Sequence, residues 1–265
     1  MGQLEAKSKA RELFGGRKAL FDRLSGVFDN AGIDRRHTVA PIDWYSGDHG
    51  WQERNSLYLE AADALFCEVA GKAISDAGLV PFEIDGVVTV STTGIATPSL
   101  EARNGPRLGL AEDVRRVPIF GLGCAGGIGG LATAARLAMA EPGKRWLLVS
   151  IETCSISIRL DSDDPAAVVA TALFGDGAAS AVVTSGEHSL ARITGASERL
   201  FPDTLRIMGW VVDDPGLAVV FDRAIPPFIC EHPKTCSSKP RRPRSSKRDW
   251  RRTRSTASSP FPRPV

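Results

Sequence analysis

A layered α/β fold is what this sequence predicts, on three observations. A long helical pattern, Ser56 to Ala77, is followed by a short and nearly continuous apolar run, Ile84 to Ser91. A second β-type run (Val117, Ile119, Phe120) passes through a small-residue turn into an alanine-rich helical pattern that reaches Ala140. A third apolar run, Trp146 to Glu152, comes directly after it. Short strands without polar alternation, each next to a helix, belong to a sheet covered on both faces.

The elements follow in order. The opening MGQLEAKSKARELF is charged and helical rather than signal-like. Glu12 to Ala31 reads as one helix with Leu13, Leu20, Phe21, Leu24 and Phe28 on an apolar stripe. Ile33-Asp34-Arg35-Arg36-His37 reads, on residue type alone, as a solvated charge cluster. In the Ser56 to Ala77 helix, Tyr58, Ala61, Ala62, Leu65, Val69 and Ala73 return every three or four residues, and Gly78 is placed to end it in the left-handed region. Cys67 falls within that helix and reads as a packing residue. Thr92 to Pro98 is a loop, marked by Gly94 and Pro98. Beyond Glu152 the third strand runs on into Thr153–Ser157. Ala166 to Phe174 is helical, Gly175-Asp176-Gly177 turns, and Ala179 to Val183 is a strand. Leu190 to Ala196 and Leu205 to Val212 are read as strands, Asp213 to Gly216 as a turn, and Leu217 to Ile229 as a new strand-and-helix unit.

With 265 residues, 43% hydrophobic and 24% charged, the chain can bury a sizeable core. Its net charge of +2 conceals two unlike parts. Residues 1–229 carry 22 Lys/Arg against 29 Asp/Glu, whereas 230–265 carry eleven against two, with Ser, Pro and Arg dominating. The expectation is one folded domain over 1–229 and a disordered basic tail over 230–265. The acidic body gives no general argument for nucleic acid, and the tail carries no folded basic motif. No apolar run approaches the roughly 18 residues of a membrane helix. Five cysteines, odd in number and without close metal-type pairing, point to a reducing cytoplasm and to no metal site.

Cys124 stands out. It sits between Gly123 and Ala125, where strand gives way to helix, and unpaired N–H groups with the positive end of the helix dipole favour a thiolate there. A thiolate so placed is a candidate acyl acceptor. On residue type alone, a cysteine that merely fills space is the favoured reading, by about two to one.

The run GLGCAGG, with STTGIATPSLEAR (Ser91 to Arg103) and ALFGDGAA (Ala172 to Ala179), resembles the type III polyketide synthases, the chalcone synthase-like members of the thiolase superfamily and most of all the bacterial ones. The resemblance runs from about Glu12 to Ile229. It implies a thiolase-like α/β/α fold, here the first half with an incomplete second half, and makes Cys124 the catalytic nucleophile. It also implies that Thr92 lines the acyl cavity and that Thr97 reaches across a homodimer interface. Cys154 and Ser157 would shape the cavity floor, Phe174 would be a gatekeeper where CoA meets cavity, and Arg23, Arg35 and Arg36 would face CoA. Acyl-CoA and malonyl-CoA are the implied substrates, with no other cofactor.

The family's chemistry also needs a His and an Asn to hold the thioester carbonyl of malonyl-CoA during decarboxylation. Here the asparagines are Asn30, Asn55 and Asn104, and the late His232 is followed by Pro233-Lys234-Thr235 without the family's glycines. Neither partner can be transferred, so impaired condensation is expected, and the last 36 residues read as a change of reading frame or a misjoined end. A ketoacyl-ACP synthase of the III type and a non-catalytic partner of an intact synthase stay open as alternatives.

Overall fold

The computed structural model describes residues 1–160, 162–186 and 190–232; most of the predicted tail, 233–265, lies outside the described residues. A four-stranded sheet of order β2-β1-β3-β4 is built from β1 (Gly86–Val90), β2 (Arg115–Ile119), β3 (Trp146–Thr153) and β4 (Asp176–Val183). β1 is parallel to β2 and β3, and β4 is antiparallel to β3, with Thr153 opposite Asp176.

Period-two geometry sends alternate residues of each strand to opposite faces. Val87, Leu147, Val149 and Ile151 pack under α4 (Trp51–Asp76) and α5 (Leu100–Leu108). Val88, Val90, Trp146 and Leu148 pack under α6 (Gly126–Ala140). The result is the three-layer arrangement expected from the apolar runs. Each fully buried Val, Leu or Ile stabilises it by about 1.5–3 kcal/mol relative to exposure.

In α4 the buried side chains are Tyr58, Ala62, Phe66, Ala70 and Ile74, a pure i, i+4 row. Such a row is inclined to the helix axis, so the helix lies slantwise across the sheet. Gly78, with φ +69°, ends it, and the Leu79 amide reaches back to the Ile74 carbonyl.

Three expectations are corrected. The single helix over Glu12–Ala31 is broken into the end of α1 (Gln3–Leu13), α2 (Lys18–Leu24) and α3 (Gly26–Asn30). The breaks fall at Gly15-Gly16 and Ser25-Gly26, where glycine disfavours helix. The bends bring Phe14, Phe21 and Phe28 into one stack, with centroids 5.5 and 5.6 Å apart, against α7 (Pro165–Leu173). Leu190–Ala196 forms no strand and lies exposed. α5 was not anticipated, because its sequence LEARNGPRL is polar and carries Pro106. β5 (Met208–Asp213) and β6 (Gly216–Phe221) form a separate hairpin, followed by α8 (Ile225–Glu231), which runs two residues past the predicted end of the folded part.

Candidate active site

β2 ends at Ile119, and the chain turns through Gly121 (φ +87°) and Gly123 (φ +52°) into a 3-10 turn, Gly123–Ala125, that runs directly into α6. Two residues in the left-handed region within three positions require glycine. Cys124, carried on that turn, is exposed. Phe120, Leu122 and Ile128, within four residues of it in sequence, are also exposed.

The spacing of the glycines in α6 explains how close this elbow lies to the sheet. A Cβ on Gly126 would sit 2.6 Å from Val90, and one on Gly130 would sit 2.6 Å from Val90 and 2.9 Å from Leu148. Gly126 and Gly130 are four apart and share the face turned to β1.

Cys154, half-buried, opens the 3-10 turn Cys154–Ser157 at the end of β3. Burial pushes its thiol up to about 12, and its neighbours Glu152, Asp176 and Cys124 act in the same direction. Cys154 thus lies within electrostatic range of Cys124 and is a neutral thiol at pH 7. Ser157, on the same turn, is buried and lines a cavity of about 10 Å³ with Thr93 and Asn55, room for one water.

Thr92 is buried, and its amide donates to Glu152 Oε2 at 3.0 Å. Burial holds the Glu152 carboxyl above the usual carboxylate range. A folded-state pKa above the unfolded one means that the native state binds more protons once pH passes the ordinary carboxylate value, so stability falls as pH rises from there through the folded-state pKa. Glu152→Gln keeps an acceptor for the Thr92 amide and removes the charge. Its melting temperature should exceed that of the wild type at pH 8, with the gap closing near pH 4. Equal or lower melting at pH 8 would show that the charged form is not disfavoured.

Asp176 ties the turn down from the other side. Its carboxylate accepts the Ser155 amide at 2.7 Å, the Ser155 hydroxyl, and the Val39 amide at 2.7 Å, while its own amide donates to the His37 carbonyl at 2.9 Å. Burial raises this carboxyl as well. Glu152, Asp176 and Ser155 were not singled out from sequence. Their roles depend on the β3–β4 register, and only the FGDG text marked one of them.

The other candidates are spread out. Phe174, half-buried just past α7, packs its ring against Trp210 and Phe221 of the hairpin, with centroids 5.8 and 5.9 Å away. Thr97 is exposed on the loop before α5, beside a groove of about 300 Å³ lined by Tyr58, Gly94, Ile95, Glu101, Ile119 and Phe120. Arg23 and Arg35 are exposed on the surface. Arg36 does not fit the expectation of a CoA contact. It is 6% exposed, and its guanidinium donates to the carbonyls of Thr171 (2.6 Å), Ala172 (2.6 Å) and Phe174 (3.0 Å) and to Gln3 Oε1. It closes the C-terminal end of α7 from within.

Among the described residues, no group of three or more His, Cys, Asp or Glu is arranged to hold a metal, and no helix is long and apolar enough to cross a membrane.

Residues 45–187 match the family described as chalcone and stilbene synthases, N-terminal domain. The chain is 37% identical over 223 residues to a 1,3,6,8-tetrahydroxynaphthalene synthase of Streptomyces peucetius subsp. caesius, covering 82% of this chain and 58% of that protein. It is 34% identical over 251 residues to a putative chalcone synthase of Bacillus subtilis (strain 168), covering 89% and 68%. The crystal structure of 1,3,6,8-tetrahydroxynaphthalene synthase from Streptomyces coelicolor A3(2), a bacterial type III polyketide synthase, superposes with a TM-score of 0.84 at 27% identity over 89% of this chain and 68% of that one. The chain therefore spans somewhat more than half the length of the first of these relatives. A thiolase-like sheet carrying its cysteine on a glycine-rich elbow, and a family match across most of that sheet, place this chain in the chalcone and stilbene synthase family of type III polyketide synthases, where it matches the N-terminal domain.

Proposed function

We propose that this chain is the nucleophile-bearing part of a type III polyketide synthase, in which Cys124 accepts the acyl group of an acyl-CoA. One observation carries this reading above the others: the Cys124 thiol is exposed at the elbow between β2 and α6 rather than sealed in the core. The thiolate adds to the thioester carbonyl, and the tetrahedral intermediate collapses with CoA thiolate leaving, which gives an acyl-cysteine. Malonyl-CoA then loses CO₂ to form an enolate that attacks the acyl-cysteine and returns the Cys124 thiolate.

The second step needs donors at the thioester carbonyl of malonyl-CoA, and the available groups are engaged elsewhere. His49 stacks on Trp44 with centroids 4.1 Å apart, and His232 bonds the Phe228 carbonyl. Asn55 holds Ile95, and Asn104 holds Asp63 and the Leu100 carbonyl. His37 and Asn30 are surface residues, and His188 lies outside the described residues. In this reading the chain alone forms the acyl-enzyme but condenses poorly.

Arg23 and Arg35 are the exposed cations left to meet CoA phosphates. A second copy docks by way of the Thr97 loop, where Ile95 and Phe120 are exposed beside the groove. A reducing cytoplasm suits four described cysteines that are all free thiols.

Intact-mass and peptide mass spectrometry after incubation with hexanoyl-CoA tests the reading. One acyl group on Cys124, absent from Cys124→Ala and retained in Cys154→Ala, is the expected result. Acylation of another cysteine, or of none, overturns it.

A further inference from the structure

The turn Cys154–Ser157 is held by a chain of hydrogen bonds that begins outside the site. Tyr45 belongs to the 3-10 turn Ile42–Ser46, on the strap between α3 and α4. Its hydroxyl is 2.6 Å from Ser155 Oγ, and Ser155, fully buried, passes the link to Asp176. Burial pushes the phenol up to about 12, so it stays a neutral hydrogen-bonding group. Tyr45 also lines a cavity of about 40 Å³ shared with Ile158, Leu160 and Phe174. Tyr45 therefore touches the Cys154–Ser157 turn through its hydroxyl and borders free volume that Phe174 also lines.

We infer that Tyr45 is a positioning residue that sets which acyl chains Cys124 accepts, acting through Ser155 on the turn that carries Cys154 and Ser157. This rests on the acyl-cysteine reading of Cys124. Ser155 lies between Cys154 and Ser157 in the same four-residue turn, so a rotation or shift of its backbone moves the turn that carries both. Its amide is fixed by Asp176 and its hydroxyl by both Asp176 and Tyr45. When the phenol hydroxyl is removed, the ring can turn toward the adjacent cavity, and the floor loses its tie to the strap.

Tyr45→Phe in the full chain is the test, because it removes one oxygen and keeps the packing. Two quantities are read. The first is the N-ethylmaleimide labelling rate of Cys154 relative to Cys124. The second is the ratio of dodecanoyl to acetyl transferred to Cys124 from an equimolar mixture of the two CoA esters. Cys154 labelling should rise about three- to tenfold, the range produced by one lost hydrogen bond. Cys124 labelling should stay within about twofold of wild type, and the acyl ratio should shift toward dodecanoyl. Ser155→Ala, which cuts both the Tyr45 and the Asp176 hydroxyl links, should shift both readings further in the same direction. Unchanged Cys154 labelling with an unchanged acyl ratio overturns the inference. A parallel rise at both thiols also overturns it, since that is general loosening rather than positioning. If wild-type Cys124 takes no acyl group, the acyl-cysteine reading fails, and with it the selectivity role. The labelling ratio still decides whether Tyr45 positions the turn.

Discussion

Arg36→Met should lower the unfolding free energy by about 3 kcal/mol or more, measured by urea denaturation at pH 7. The side chain is buried and donates to four acceptors: the carbonyls of Thr171, Ala172 and Phe174, and Gln3 Oε1; the Ala172 carbonyl also accepts from Gln3 Nε2 at 3.4 Å. Methionine matches the volume and supplies no donor, so several acceptors remain in a site that water reaches poorly. Orphaned buried acceptors cost about 1–3 kcal/mol each when no water replaces the donor. The guanidinium also brings a positive charge to the C-terminal end of α7, where the carbonyl dipoles are most negative. Arg36→Lys should recover only part of the loss, because one ammonium cannot reproduce a planar fork that reaches acceptors on both sides. Arg35→Met, at the exposed neighbour, should stay within about 0.5 kcal/mol of wild type. A loss below 1 kcal/mol for Arg36→Met would mean that these carbonyls find other partners. The consequence extends past stability, because the chain leaving α7 is Phe174, whose carbonyl Arg36 holds and whose ring rests on Trp210 and Phe221.

Arg36 also shows where sequence reading stops. Residue type and its neighbours Asp34 and Arg35 place it in a charged surface cluster, and only the packing of α7 over the strap turns it inward. What was legible was what a short window contains. The β-branched run at Gly86–Val90, the apolar run at Trp146–Thr153 and the glycine-punctuated passage into α6 formed as read, except that the third strand stops at Thr153 and Cys154–Ser157 is a 3-10 turn rather than its continuation. The helix ending at Gly78 was legible as well, because a single residue in the left-handed region closes it. Windows that mix signals were misread. Over Glu12–Ala31 the apolar stripe is present, but it is carried by helices bent at glycines so that three phenylalanines converge. α5 was missed because its sequence is mostly polar: Leu100 and Leu108 reach the core at its two ends, while Asp63 of α4, far along the chain, bonds both Arg103 and Asn104.

The site divides the same way. The elbow that carries Cys124 was legible from its flanking glycines, since a turn is local. Glu152, Ser155, Asp176 and Tyr45 were not, because each acts across a gap of between 21 and 137 residues in sequence: Thr92 to Glu152, Ser155 to Asp176, Tyr45 to Ser155, Val39 to Asp176. The elbow at Cys124 is thus specified by one motif, whereas the Cys154–Ser157 turn is held by three separate segments meeting at the end of β3. The elbow can therefore persist while that turn shifts with substitutions far along the chain.

Gly130→Ala should cost about 1–3 kcal/mol, the range of overpacking in a filled core, although alanine is the better helix former. The added methyl would stand 2.6 Å from Val90 Cγ2 and 2.9 Å from Leu148 Cδ1, and both of those side chains are buried in the layer under α6. Neither can retreat without disturbing β1 or β3, so relief comes from lifting α6, and Cys124 sits on the turn at its start. Gly127→Ala provides the contrast within the same helix. Its methyl would meet nothing nearer than Ser150 Oγ at 3.7 Å, an ordinary contact, so helix propensity decides and the variant should be neutral or more stable by up to about 1 kcal/mol. If close docking of α6 is what sets the position of the thiol, Gly130→Ala should also slow acyl transfer to Cys124 while Gly127→Ala leaves it unchanged. Thermal unfolding and acylation rates for the two variants decide the matter. Equal stability and equal rates would show that the elbow keeps its place without the glycine contact to β1.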